Sequence, residues 1–188
     1  MFLRTVVVLV GLVAAASAGE TWTAKGDADR RVVETTGSAQ VGGLRVDAFV
    51  SLSCNRTGAP VAWLDYTVAD ADNVTKSFDL SSFEGPDAPA QSKQLVTLEL
   101  VDGKVLQTLH AHASGWYSAE HTGGFGFGIG GAPAESRQLA ELIKRATREG
   151  TVLRIRVTAF DAPAHTITSE FPLAGARDAL ASLAATCR

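Results

Sequence analysis

Two histidines, His110 and His112, are the side chains best placed for metal chemistry. Residues i and i+2 of a β-strand point to the same side of a sheet, so both imidazoles could hold one zinc or copper ion. His121 or Glu120 would supply a third ligand. The strand pattern places both imidazoles on the outward face beside Glu99, where solvated histidines are common. We therefore predict no metal site, and keep His110, His112 and His121 as the candidates for one.

Glycines alternate with large apolar residues between Gly123 and Gly131. A phosphate-binding loop would need a preceding parallel strand and a helix that begins directly on the last glycine. Here Phe125, Phe127 and Ile129 separate the glycines, which is typical of a strand that another part of the protein approaches closely. The segment predicts no nucleotide site, and we expect no cofactor.

Nucleophilic catalysis has no clear carrier in the sequence. There is no Gly-x-Ser-x-Gly motif. Asp65, Asp79, Asp87 and Asp161 offer carboxylates, but nothing in the sequence pairs two of them in a cleft, and most are interpreted as solvated residues of turns. We predict no catalytic residue and expect that the protein is not an enzyme. A secreted hydrolase is a further alternative. The spacing of residues in the sequence does not reveal whether a catalytic triad assembles in the fold.

Three aromatic residues in and near the glycine run, Trp116, Tyr117 and Phe125, are the candidates for contact with a partner or ligand. We place Trp116 and Tyr117 in a loop, where an exposed ring could stack on a sugar or contact a protein. The alternative, which the sequence favours, is that Trp116 covers the core.

The charge balance argues against a nucleic-acid partner. The chain has 17 Lys and Arg against 20 Asp and Glu, a formal net charge of −3. Nucleic-acid-binding domains usually carry a basic stripe. The most basic segment, Lys144-Arg145 with Arg148, instead has the position of the last turn of a helix.

The first 18 residues have the pattern of a secretory signal peptide. Arg4 precedes an apolar run from Thr5 to Ala15, which is followed by Ala16-Ser17-Ala18. A membrane-spanning helix needs about 20 apolar residues, more than this run provides. We predict cleavage before Gly19, no transmembrane segment afterwards, and a single domain over residues 19–188, in the periplasm or secreted.

Cys54 and Cys187 are the two cysteines of the chain. In an exported protein an even pair is most simply a disulfide bond, which here would tie an early strand to the end of the chain. A disulfide-bonded cysteine offers no thiolate for catalysis, so we predict a structural role.

Hydrophobic periodicity predicts an α+β fold, with a mostly antiparallel, β-sandwich-like sheet. Residues 44–54 alternate apolar and polar side chains with Cys54 on the inner face, and residues 61–68 return as a hairpin partner. Two further strands, 152–159 and 166–173, are separated by a turn.

Two helices interrupt this pattern. Apolar residues at helical spacing predict helices near 134–148, opened by Pro133, and near 176–186. Gly150 is a suitable C-terminal stop for the first of them.

Val101-Asp102-Gly103-Lys104 predicts a hairpin with a two-residue turn, in which Asp102 and Gly103 both take φ > 0. This register would pair Leu100 with Val105 and Leu98 with Gln107. It is also the register that places both histidines on the outer face.

The second half of the chain resembles two groups of bacterial periplasmic proteins, the invasion-associated locus B type and the VasI-TagO-type type VI secretion accessory proteins. The resemblance covers residues 95–187 and rests on residues 98–104, 150–155 and 171–176, followed by Ala179-Leu180 and Leu183. Cys54 in Leu52-Ser53-Cys54, together with a second cysteine near the end of the chain, is more similar to the pattern of the secretion-accessory type. The chain lacks the extra cysteine pair of the invasion-associated type.

This resemblance implies a periplasmic, β-rich domain that works through contacts and has no catalytic residues to carry over. We therefore expect a non-catalytic accessory protein of the bacterial envelope, whose partner is a protein or an envelope component. The alternative is a protein that binds a small ligand or metal through the region of His110, His112 and Trp116.

Overall fold

The computed structural model describes residues 21–56, 61–85, 88, 93–121 and 123–187. The signal peptide predicted over residues 1–18 lies outside these ranges. Within them, no helix has the length and hydropathy that are needed to cross a membrane.

About half of the described chain forms β-strands. In chain order these are β1 (Thr23–Gly26), β2 (Arg30–Val41), β3 (Leu44–Asn55), β4 (Val61–Val68), β5 (Val96–Asp102), β6 (Lys104–Ala111), β7 (Ala113–Ser118), β8 (Gly124–Ile129), β9 (Val152–Thr158) and β10 (Thr166–Pro172). The helices are α1 (Ala71–Val74), α2 (Pro133–Ala146) and α3 (Arg177–Thr186), and a 3₁₀ turn covers Ser81–Phe83. The two predicted helices and the mostly antiparallel sheet are confirmed.

All these strands belong to one antiparallel sheet of order β6-β5-β9-β10-β2-β3-β4-β8-β7, with β1 added beside β2. The strands at the two ends of this order, β6 and β7, are separated in sequence by His112 alone. The sheet must therefore curl, since one residue joins its two edges. The β-sandwich-like arrangement is not confirmed, because the described strands form a single sheet.

Each edge strand of the curled sheet has a carbonyl that is hydrogen-bonded by another part of the chain. On β6, the carbonyl of Leu106 accepts a hydrogen bond from Nη1 of Arg145 on α2, at 2.8 Å. On β7, the carbonyl of Gly115 accepts one from the backbone N–H of Gly85, at 3.1 Å. Uncovered strand edges invite pairing with other chains, and these contacts occupy carbonyls that such pairing would use.

The inner face of the curl holds the hydrophobic core, which α2 and α3 complete. The predicted alternation of β3 is confirmed, because Val46, Ala48, Val50, Leu52 and Cys54 are all buried. The helices contribute the apolar residues that the sequence predicted at helical spacing: Leu139, Leu142, Ile143, Ala146, Leu180, Leu183 and Ala184.

The predicted disulfide between Cys54 and Cys187 is present. It joins the end of β3 to the residue after α3, and the two Cα atoms are 5.2 Å apart. This distance is ordinary for a disulfide. The bond therefore fastens the terminal helix to the central part of the sheet.

The register predicted for the β5–β6 hairpin is wrong. Val101 pairs with Val105 and Leu100 with Gln107, because the ladder shifts at a β-bulge between Leu100 and Val101. Gly103 has a positive φ of 64°, whereas Asp102 does not take the left-handed conformation that the predicted turn requires. An extra residue in one strand absorbs the difference.

Candidate functional site

The outer side of β4, β8 and β7 carries two indole rings over a strip of glycines. On β8, Phe125, Phe127 and Ile129 point into the core, so the alternating Gly126 and Gly128 face outward. Trp116 of β7 stands opposite Gly126, and Asp65 of β4 stands opposite Gly128. We call Trp63, Asp65, Ser114, Trp116 and these two glycines the tryptophan face.

The indoles occupy the space in which side chains of the strip would lie. A Cβ atom on Gly128 would be 2.5 Å from Cζ2 of Trp63 and 2.9 Å from Cη2 of Trp116. A Cβ on Gly126 would be 3.2 Å from Trp116. The glycines are therefore required by close approach of other groups to the strand, as the sequence pattern predicted.

A groove of about 370 Å³ lies where the tryptophan face meets the start of α2. Helix α2 is held there by Ser136, whose Oγ accepts a hydrogen bond from the backbone N–H of Ala62 at 2.8 Å. The groove is lined by Trp63, His112, Ala113, Ser114, Gly128, Gly131, Ala132 and Glu135. A single side chain or a small molecule fits such a volume.

His112 and Glu135 form a hydrogen-bonded pair at one wall of the groove. The imidazole Nδ1 is 2.5 Å from Oε1 of Glu135, and the same oxygen accepts the backbone N–H of His112 at 3.2 Å. Glu135 is only 5 % exposed and lies in the first turn of α2. The pair fixes the junction between β6 and β7 against the helix, with Nδ1 as the ring atom that faces the carboxylate.

Asp65 is the second carboxylate of this region. The indole Nε1–H of Trp63 donates a hydrogen bond to its Oδ1 at 2.6 Å. Burial raises the pKa of Asp65 above its ordinary value, the hydrogen bond from Trp63 opposes this rise, and the nearby charge of Glu120 adds to it. Among the described residues, no Lys or Arg forms an ion pair with Asp65 or Glu120.

The predicted contact residues are placed differently from the expectation. Trp116 and Tyr117 lie on β7 and not in a loop. Consecutive strand residues point to opposite sides, so only Trp116, 43 % exposed, belongs to the tryptophan face. Tyr117 is 56 % exposed and packs edge-to-face on Phe125 at 5.3 Å. Phe125 itself is fully buried, which corrects its prediction as a contact residue.

The predicted histidines have separate environments. Nδ1 of His110 is 3.2 Å from Oγ1 of Thr97, and the ring of His121 stacks on Phe49 with centroids 3.8 Å apart. His112 is in the groove, held by Glu135. In the ranges that the structure covers, no three His, Cys, Asp or Glu residues form a group able to hold a metal ion.

The sequence interpretation missed Trp63, Asp65 and Glu135 as members of a site. The sequence assigns no role to Asp65, which is a half-buried residue of β4. A usable signal was present, since Trp63 and Asp65 have i, i+2 spacing and the outward glycines of β8 repeat it. Glu135 gave no comparable signal, because its partner comes from a distant strand junction.

The chain matches no family model, no curated protein and no solved structure. Its function must therefore be argued from the geometry of the tryptophan face and the groove.

Proposed function

We propose that the protein is an exported, non-catalytic accessory protein of the bacterial envelope, which binds a protein or envelope component through the tryptophan face. The observation that carries this proposal is the exposure of Trp116, 43 %, on a hydrogen-bonded strand. Tryptophan is enriched among the residues that dominate binding energy at interfaces. A ring held on a strand loses less conformational entropy on binding than one on a mobile loop.

The way in which the sheet presents this ring also supports a binding role. The strip beneath it consists of glycines, so Trp116 rests on the backbone of Gly126 and Gly128, and Trp63 also lies close to Gly128. The arrangement fits a preformed contact surface.

Export and the envelope location rest on the sequence. The N-terminal 18 residues have the signal-peptide pattern, and the Cys54–Cys187 disulfide is of the kind that persists in an oxidising compartment. The resemblance of residues 95–187 to the invasion-associated locus B type and the VasI-TagO type agrees with a contact function. The His112–Glu135 pair is assigned to holding α2 in place.

Site-specific photo-crosslinking tests the binding surface in the native compartment. A benzophenone amino acid replaces Trp116 in one variant and Val105 in a second, and Val105 is the matched control because it is 46 % exposed on β6. We expect one discrete covalent adduct at position 116 and none at position 105. Against the purified partner, Trp116→Ala should weaken binding by about thirtyfold or more, as at an interface hot spot. Adducts at both positions or at neither would overturn the proposal.

The export part of the proposal is tested by N-terminal sequencing of the protein after cell fractionation. Mature protein that begins at Gly19 in the periplasmic or culture fraction is the expected result. Full-length, reduced protein in the cytoplasm would contradict it. Turnover of ester, peptide or glycoside substrates by the purified protein would contradict the non-catalytic part.

A further inference from the structure

We infer that the outer face of β9, β10 and β2 carries a second binding site, for a phosphate ester, in which Arg156 and Lys76 are the two cations. The site lies apart from the tryptophan face, which belongs to β4, β8 and β7, and it does not depend on the function proposed for that surface. The supporting observations are a row of side chains across the sheet, an unpaired guanidinium in that row, and a groove at the end of the row.

The strand register places Thr97, Arg156, Thr168 and Gln40 in one row across β5, β9, β10 and β2. Arg156 stands opposite Thr97 on one side and opposite Thr168 on the other. Thr168 in turn stands opposite Gln40. Each of the four lies between two buried residues of its own strand, so all four side chains point to the outer face. Because opposed side chains are neighbours in a sheet, hydroxyl and amide groups lie beside a guanidinium.

The charge of Arg156 is not neutralised by the described residues. Arg154, on the same strand and the same face, is held by two carboxylates: its Nη1 is 3.1 Å from Glu99 and its Nη2 is 2.7 Å from Glu170. In the part of the chain that the structure describes, Arg156 forms no ion pair. It is nevertheless half-buried. A partly buried charge without a partner is unfavourable, and a bound anion would offset that cost.

A groove of about 580 Å³ lies at the Thr168–Gln40 end of the row. It is lined by Gln40, Gly42, Lys76, Ser77, Ala164, His165, Thr166 and Thr168, and no described Asp or Glu contributes to the lining. Nζ of Lys76 donates a hydrogen bond to Oδ1 of Asn73 at 2.6 Å. Since this partner is a neutral amide, the ammonium charge stays unneutralised. The groove is therefore cationic, although the whole chain has a formal net charge of −3.

The carboxylate of Asp79 belongs to a neighbouring groove that shares Lys76 and His165. Each of its two oxygens accepts a hydrogen bond from a hydroxyl, one from Ser81 and one from Ser82. Asp79 forms no ion pair with Lys76. The ammonium group therefore stays available to a ligand in the groove.

A phosphate group matches this set of donors better than a carboxylate does. A carboxylate has two oxygens in one plane, which a single arginine satisfies with a bidentate contact. Here the guanidinium of Arg156 is followed by the Thr168 hydroxyl, the Gln40 amide and the Lys76 ammonium. Donors spread in this way suit the three acceptor oxygens of a phosphate ester. The rest of the groove has room for the organic part of the ester, beside the hydroxyls of Ser77 and Thr166.

Glycerol 3-phosphate is the probe for this site, titrated into ¹⁵N-labelled protein. We expect saturable shifts of the Nε–H resonance of Arg156 and of the backbone amide of Thr168. Nε of Arg154 donates to Glu170 at 2.8 Å, so its resonance is the internal reference and should shift little. Glycerol with sodium chloride at equal ionic strength is the control and should give no saturable shift. Sodium acetate should bind at least about tenfold more weakly than glycerol 3-phosphate.

Variants test the two cations separately. Arg156→Gln should weaken glycerol 3-phosphate binding by about tenfold or more, because it removes a charge-assisted contact. Lys76→Gln, at an exposed position, should weaken it several-fold and leave the fold intact. Lys104→Gln is the matched control, since it removes the same charge at the turn between β5 and β6, and it should bind as the wild type does.

Vesicle flotation identifies the source of the phosphate. Flotation with phosphatidylcholine vesicles that contain phosphatidic acid, but not with phosphatidylcholine alone, would assign it to a lipid headgroup, and Arg156→Gln should then reduce the floating fraction. A saturable response to glycerol 3-phosphate without flotation would assign it to a soluble ester. The inference is overturned if the Arg156 resonance shows no saturable shift or if acetate binds as tightly as glycerol 3-phosphate. Equal losses of binding in Lys104→Gln and Arg156→Gln would also overturn it, because they would show only a diffuse attraction of anions.

Discussion

The hydroxyl oxygens of Tyr66 and Ser169 lie 2.7 Å apart inside the core, on β4 and β10. These strands are not neighbours, since β2 and β3 lie between them in the sheet. Their contact is possible because the sheet curls and brings distant parts of its inner face together. Both side chains are almost completely buried, and burial raises the pKa of the Tyr66 phenol. Each hydroxyl therefore satisfies the other in a place without solvent.

Removing both hydroxyls of this pair should cost less than the sum of the two single removals. Tyr66→Phe leaves the hydroxyl of Ser169 buried without its partner, and we expect a loss of about 1–3 kcal/mol in the free energy of unfolding. Ser169→Ala should cost a similar amount for the same reason. The double variant should lose less than the sum, because no orphaned hydroxyl remains. Urea unfolding of the four proteins measures the coupling, and strictly additive losses would show that the contact does not form.

The contact between Glu135 and His112 makes a second stability prediction. Glu135→Ala removes the acceptor of two hydrogen bonds at the junction of β6 and β7. We expect a loss of about 1–3 kcal/mol. Glu141→Ala is the matched control on the same helix, because its ion pair with Lys144 is exposed and 3.6 Å long. An exposed pair contributes less than about 1 kcal/mol. Equal losses for both variants in urea unfolding would contradict the role given to Glu135.

Features set by local periodicity were predictable from the sequence. The alternation of β3 placed Cys54 inward, and the helical spacing on α2 and α3 placed their apolar residues against the core. In both cases the hydrophobic effect buries one face of the element, and the periodicity of the apolar residues identifies which residues lie on that face.

Features set by contacts between distant segments were not predictable. The bulge beside Val101 changed the pairing of β6, and a hairpin motif alone does not contain that information. The position of Trp116 on a strand depended on the pairing of β7 with β8. Asp65 became a site residue because β8 supplies glycines beside it, and no short motif encodes that neighbour.

The disulfide between Cys54 and Cys187 should contribute strongly to stability. It closes a span of 133 residues, for which the chain-entropy model gives on the order of 5 kcal/mol as an upper figure. We expect the Cys54→Ala/Cys187→Ala variant to melt at a clearly lower temperature than the oxidised protein. Dithiothreitol should lower the melting temperature of the wild type and leave that of the variant unchanged. Free thiols in wild-type protein recovered from the periplasm would contradict the assignment.

The close packing of the two indoles on the glycine strip predicts that an added methyl group there is destabilising. Gly128→Ala places a methyl group within 2.5 Å of Trp63 and 2.9 Å of Trp116, so both rings must move. Overpacking of this kind costs about 1–3 kcal/mol, and the tryptophan fluorescence spectrum should change with it. Gly43→Ala is the control, because a Cβ there has no neighbour within 4 Å. Gly43→Ala should change stability by less than about 0.5 kcal/mol. An unaltered spectrum for Gly128→Ala would show that the rings do not rest on the strip.

Asp65 should oppose folding at neutral pH. Burial is the main cause that raises the pKa of this carboxyl, and the charge of Glu120 raises it further. The hydrogen bond from Trp63 opposes this rise. The folded state therefore holds the proton more tightly than the unfolded state. As pH rises from below the ordinary value of 3.8 through the raised pKa, stability falls, and the loss persists at higher pH.

Asp65→Asn removes this titration while its side-chain oxygen still accepts the Trp63 indole N–H. The variant should therefore be more stable than the wild type at neutral pH, and its advantage should shrink as pH falls below the ordinary range of an aspartate. The quantity to compare is the difference in unfolding free energy between the two proteins at each pH. This difference cancels the contributions of the other carboxylates, including Asp79, whose pKa is lowered by its hydrogen bonds with Ser81 and Ser82. A variant less stable at neutral pH would mean that the Asp65 charge is stabilised by a partner.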